Sequence, residues 1–239
     1  MKQKIVQFVC ILILIAFPHM TSTTAKETNQ AKSYKAGGTP ISIPPPTTEF
    51  IEIGYDNREV MEIFVAPDQR LLCGFLLKSD LPLLSKGDDD FILSQYAMVN
   101  VPRRGEFMDF KASDYKELAD KMKENLGDVI DSSAKRADEE SNHQLKSLGL
   151  DEVTISLDRI IKLGCLFSKQ DAYGFGMILP VSKVGHSKEV VMGCAGAVIR
   201  ARNRMLFIYL YTEYKNDKTV KWLRKTTKEW ADSILKANK

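Results

Sequence analysis

The last third of the chain most limits what it can fold into. From Met205 to Tyr214, Leu206, Ile208, Leu210 and Thr212 alternate with Phe207, Tyr209 and Tyr211. A period of two over this length is the signature of a strand whose two faces meet different surroundings. Glu189 to Arg200 is a second apolar run, and Arg202-Asn203-Arg204 between the two predicts a hairpin.

Upstream, short apolar runs are separated by turns. Leu71 to Leu77 follows Pro67-Asp68-Gln69-Arg70 and reads as a central strand. Phe91 to Val101 reads as another, with Tyr96, Met98 and Asn100 on one face and Ala97, Val99 and Val101 on the other. Val153 to Leu157, Ile160 to Phe167 and Tyr173 to Val181 are further strand segments, the last two separated by Ser168-Lys169-Gln170-Asp171.

Two segments have helical spacing. Tyr115, Leu118, Ala119, Met122, Leu126, Val129 and Ile130 predict a helix over about 114–131, with Ser113 as N-cap and Asp114 and Glu117 in the first turn. The polar stretch 132–148 either prolongs it, to about 147, or loops out. Asn216-Asp217 predicts the cap of a final helix over 218–236, with Val220, Leu223, Thr227, Trp230, Ala231 and Ile234 on one face. Strands, helix, strands, helix, with hairpins dominating, is an α+β order: an antiparallel sheet packed with two main helices on one or both faces.

The N-terminus predicts a destination. Lys2 and Lys4 precede an almost wholly apolar run from Ile5 to Phe17, and Thr23-Thr24-Ala25 supplies small residues where a signal peptidase reads. This is a secretory signal, with an uncleaved anchor as the alternative because the exit is Thr-x-Ala. The run is shorter than the roughly 20 residues that span a bilayer. The expected organisation is a signal at 1–25, a flexible Pro/Gly-rich arm at 26–48 (Gly37-Gly38, Pro44-Pro45-Pro46, with an edge strand at Ile41 and Ile43) and one α+β domain at 49–239. The signal removes two lysines and no carboxylate, so the net charge falls from +3 to about +1. That leaves no global field for nucleic acid. Three of the four cysteines remain, Cys73, Cys165 and Cys194, each in an apolar run and each expected as a buried thiol. A periplasmic or secreted location follows.

Catalytic patterns are missing from the sequence. It has no His-Glu-x-x-His, Cys-x-x-Cys, phosphate loop or Gly-x-Ser-x-Gly elbow, and Gly174-Phe-Gly176 lacks the other glycines of a dinucleotide site. The mature chain keeps only His143 and His186, each read as a solvated residue. Asp88-Asp89-Asp90 lacks the ligand spacing of a calcium loop. No catalytic, cofactor or metal residue is therefore assigned.

Two basic surfaces are candidate sites. Arg103-Arg104 after Pro102 is a candidate anion clamp, against the plainer reading of solubilising charge at a strand end. Lys221, Arg224, Lys225 and Lys228 form a stripe opposite the apolar face of the last helix, with Trp222 at its boundary. Such a stripe suits an anionic or membrane surface, against the plainer reading of a solvated helix face.

Met205-Leu-Phe-Ile-Tyr-Leu-Tyr-Thr-Glu-Tyr, the stretch Thr219 to Asn238 with Trp222 and Trp230, Ile43-Pro-Pro-Pro and Arg70-Leu-Leu-Cys-Gly-Phe together resemble exported bacterial α+β proteins. The order of elements is similar to the PsbP/Mog1-type fold over about residues 40–238. The resemblance implies a fold and transfers no site. The expected function is an exported, non-catalytic binding or assembly protein for a protein or small-molecule partner. The alternatives are a peripheral membrane protein using the last helix, and a hydrolase without a recognisable motif.

Overall fold

A computed structural model describes residues 31–53, 61–62, 65–66, 68–81, 93–147, 160–181 and 190–239, with the side chains of 129, 132–147 and 181 outside that set. The signal expected at 1–25, the turn expected at Asp88–Asp90, the strand expected over Val153–Leu157 and His186 lie outside the described residues.

Strands β1 (Lys32–Ala36) and β2 (Thr39–Ile43) form a hairpin of their own. Strands β3 (Phe50–Glu52), β4 (Gln69–Leu77), β5 (Gln95–Pro102), β6 (Ile161–Lys169), β7 (Ala172–Val181), β8 (Val190–Ala201) and β9 (Arg204–Glu213) build a seven-stranded sheet in the order β3-β4-β5-β9-β8-β7-β6. Every pairing is antiparallel. The two long helices among the described residues are α1 (Ala112–Ser147) and α2 (Asp217–Ala237). The fold is α+β.

The alternating strand of the sequence is the middle one, β9. Leu206, Ile208 and Leu210 enter the core beneath α2, joining Ala195, Ala197 and Ile199 of β8 and Leu223, Trp230, Ala231 and Ile234 of the helix. Phe207 and Tyr209 point the other way, towards Tyr115, Ala119, Met122, Leu126 and Ile130 of α1. One helix therefore covers each face. The hairpin turn places Arg202 and Asn203 at φ 47° and 57°. Two successive positive φ values make the turn whose twist matches a hairpin.

Helix α2 starts as expected. The Asn216 side chain accepts from the Lys218 N–H at 2.9 Å. Its buried face is Leu223, Thr226, Thr227, Trp230, Ala231 and Ile234, with Val220 only half-buried. Trp230 donates its indole N–H to Pro44 O at 2.8 Å and meets Phe75 edge to face.

Several expectations need correction. The arm read at 26–48 is in large part the β1–β2 hairpin. Tyr34 pairs with Ile41 across it, Ala36, Ile41 and Ile43 are buried in the main core, and Asn238 after α2 bonds both backbone groups of Ser42. The Gly37-Gly38 pair read as a linker signal is the two-residue turn of that hairpin, both at positive φ. Strand β4 is second from the edge and not central. Helix α1 runs to Ser147 with non-helical angles at Asn125. Ser113 does not cap it. The helix already begins at Ala112, and Asp114 reaches back to accept from the Lys111 N–H at 2.9 Å. That is the carboxylate half of a capping box.

Cys73 and Cys194 are buried, but Cys165 is exposed. Strand β6 is an edge strand with register shifts on either side of Cys165, so Leu166 and Phe167 both turn inward and the thiol outward. Gly174 answers that arrangement. A Cβ there would sit 2.3 Å from the Phe167 ring, so the glycine makes room for an aromatic neighbour.

Candidate functional site

Three loops meet at one end of the sheet: the β1–β2 turn, the segment 103–111 between β5 and α1, and the β8–β9 turn. Their joint is built on Glu106. Its carboxylate accepts from Arg70 Nε at 3.0 Å and from Arg70 Nη2, and it takes the Gly37 N–H at 3.0 Å. Arg70 Nη2 also donates to Lys35 O at 3.0 Å. The arginine hydrogen bond holds the Glu106 carboxyl below the usual range. Partial burial opposes this, while the Gly37 N–H and the charges of Arg70 and Arg103 reinforce it. Gly37 lies so close that a Cβ would fall 1.9 Å from Glu106 O. Only glycine fits there.

The far side of the segment is tied by Arg204. Its Nη1 donates to Met108 O at 2.7 Å and pairs with Asp109 at 3.2 Å, while its Nε donates to Thr39 Oγ1 at 2.9 Å. The Phe110 N–H bonds Asn203 O at 2.8 Å. Between these two anchorages, Phe107 and Met108 are 77% and 67% exposed. Two adjacent large apolar side chains held outward by a fixed backbone form a surface feature unlike a scattered exposed residue.

Around that tip, Lys35, Arg103, Arg104, Lys111 and Arg202 are exposed. The structure thus puts the expected anion clamp, Arg103 and Arg104, in the turn beside Phe107, next to cations from two other loops. Sequence reasoning missed Phe107 and Met108. The available signal was two large apolar residues in a stretch opened by Gly105 and closed by Asp109, with no period joining them to a neighbouring element.

The stripe on α2 is arranged differently. Lys221, Arg224 and Lys225 are exposed. Lys228 pairs with Asp232 at 3.4 Å, and Asp232 also holds Lys169 of β6. Burial works against the ionised Asp232, yet the two lysines keep its carboxyl below the usual range. Trp222 is half-buried and packs against the main core. No apolar side chain of the helix stands out beside these cations.

Beside β4, a cavity of about 230 Å³ is lined by residues that include Tyr34, Glu52, Met61 and Cys73. Burial, followed by Cys73 and Glu52, pushes the Tyr34 phenol well above its ordinary value. Burial likewise pushes Tyr209 and Cys194 up to about 12 and raises Tyr96, Tyr115 and Tyr211. These are weak acids moved further from neutrality, the reverse of what a general base needs. His143 lies on the second half of α1, where side chains are not described. Among the described residues, no group of three His, Cys, Asp or Glu side chains gathers as a metal site, and no helix is long and apolar enough to cross a membrane.

No family model matches the chain, and no curated protein matches it. Among solved structures, it is similar to the Ran-binding protein Mog1p of Saccharomyces cerevisiae, at 13% identity over 88% of this chain and 93% of that one, with a TM-score of 0.30. It is also similar to cyanobacterial PsbP (CyanoP) of Synechocystis sp. PCC 6803, at 11% identity over 87% and 95%, with a TM-score of 0.31. At this level the likeness transfers no partner and no site.

Proposed function

We propose that this chain is an exported, non-catalytic binding or assembly protein that meets its partner with the three-loop end of the sheet. The observation that carries the reading is the outward display of Phe107 and Met108 by a segment fixed on both sides, by Glu106 to Arg70 and Gly37 and by Arg204 to Met108 and Asp109. Leaving two large apolar groups in water is unfavourable, and here several hydrogen bonds and ion pairs hold them there. Contact surfaces combine apolar anchors with a polar, charged rim in this way. Export rests on the N-terminal pattern of Lys2, Lys4 and the apolar run to Phe17.

A photo-crosslinking amino acid at position 107, with position 229 on the exposed side of α2 as the control, tests the surface in the exported fraction. A discrete adduct from 107 and none from 229 is expected. Adducts from 229 alone would overturn the assignment. Mass measurement of the mature N-terminus tests export, with a start at Lys26 expected and an intact Met1 opposing cleavage.

A further inference from the structure

We infer that the three-loop end seats the protein on an anionic lipid surface, with Phe107 and Met108 entering the headgroup–acyl boundary and the surrounding cations meeting lipid phosphates. This rests on the reading of that end as the contact surface and names what it contacts.

Three observations favour a lipid surface. The apolar pair stands at a projecting tip and is mostly exposed, which lets it enter a soft interface without a pocket to receive it. Aromatic and flexible apolar side chains at a tip suit the graded polarity of the interfacial zone, which needs no complementary pocket.

The exposed charge around the tip is mostly positive. Lys35, Arg103, Arg104, Lys111 and Arg202 are exposed, Glu106 is paired with Arg70 and Asp109 with Arg204, and the negative charges of Asp68 and Asp114 remain beside them. The cations come from the end of β1, from the segment 103–111 and from the β8–β9 turn, and these are fastened to one another. Arg204 bridges Thr39 and Met108, Arg202 Nη1 reaches Pro40 O at 3.3 Å, and Phe110 N–H bonds Asn203 O. Guanidinium groups bind phosphate oxygens in pairs, which suits Arg103, Arg104 and Arg202 to this role.

The pinning also matters for binding strength. A tip already held in its exposed conformation loses little further freedom on insertion. The basic stripe of α2 offers cations without any outward apolar group, so it supplies only half of this chemistry.

The test is sedimentation of the full chain with vesicles of phosphatidylcholine alone and of phosphatidylcholine mixed with phosphatidylglycerol, at low and high salt. Binding common to both vesicle types reports the apolar N-terminal run. The excess on anionic vesicles reports the loop end. Phe107→Ser with Met108→Ser should lower that excess about a hundredfold. Arg103→Gln with Arg104→Gln should lower it roughly thirtyfold and flatten its salt dependence. Lys221→Gln with Lys225→Gln should leave it unchanged, and circular dichroism should be the same for all of them because every altered side chain is exposed.

Equal binding to the two vesicle types would overturn the inference, as would a loss in the Lys221/Lys225 variant matching that in the Arg103/Arg104 variant. The crosslinker at position 107 separates the two levels of the argument. A protein adduct at 107 without anionic excess leaves the contact surface standing and removes the lipid. Absence of both removes the surface as well.

Discussion

The outer face of α2 and the three-loop end both present lysines and arginines to solvent, yet they are built on opposite plans. On α2 each large apolar side chain turns inward. Trp230, Leu223 and Ile234 are fully buried, Trp222 is half-buried, and Lys228 is tied to Asp232. The cations there are what an amphipathic helix has left over once its other face is sealed. At the loop end, a part-buried ion pair holds the backbone and the apolar groups point out: Glu106 is mostly buried against Arg70 while Phe107 and Met108 are displayed. Positive charge alone therefore does not mark a working surface. A stronger mark is apolar area kept outside by polar groups kept inside.

The contrast can be broken from either side. The largest expected effect is on the sealed face. Trp230→Ala removes a fully buried ring, its edge contact with Phe75 and its bond to Pro44. A loss of about 4 kcal/mol is expected, read by chemical denaturation. A much smaller loss would mean that α2 is not the main seal of the sheet.

Glu106→Gln comes next and tests the loop end. It keeps an acceptor for Gly37 but removes the charge that Arg70 faces. The Glu106 side chain is 11% exposed and that of Arg70 32%, so the loss should fall below that of a fully buried pair, at about 2 kcal/mol near neutral pH. The pH dependence has a definite sign. The folded carboxyl titrates below its ordinary value, so the stability it adds is complete above the ordinary glutamate range and is lost as pH falls through the lower, folded value. Denaturation midpoints of the two proteins should therefore converge on acidification. A gap that persists unchanged in acid would show that the charge is not what holds the loops.

The smallest effect belongs to Asn216→Ala, which removes one cap bond from α2. A loss of about 1 kcal/mol is expected, with no change in vesicle binding if the two surfaces are independent. Should vesicle binding fall with it, the helix and the loop end act as one surface.

Much of the fold was legible in residues that neighbour one another along the chain. The alternation of Leu206, Ile208 and Leu210 identified β9, Arg202-Asn203 marked its turn, and Asn216 marked the start of α2, because each is a local preference of backbone and period. The β1–β2 hairpin was readable in principle from Tyr34 and Ala36 flanking Gly37-Gly38, with Ile41 and Ile43 beyond. The glycines and prolines around it gave the same stretch the composition of a linker. What tipped the balance was burial beneath α2, a contact across most of the chain's length. The candidate site was half legible. Arg103 and Arg104 were visible as a charged pair after a strand, but nothing local showed that Phe107 and Met108 would stay outside.

By itself the sequence determined the α+β class, the middle hairpin, and the cap and inner face of the last helix, since period and turn chemistry act within a few residues. Tertiary structure alone decided that the two helices take opposite faces, that Cys165 turns outward at a bulged edge, and that Gly37, Arg70, Glu106 and Arg204 fasten three loops around an exposed tip. Those outcomes depend on which distant segments fill the same space, and no local pattern encodes that.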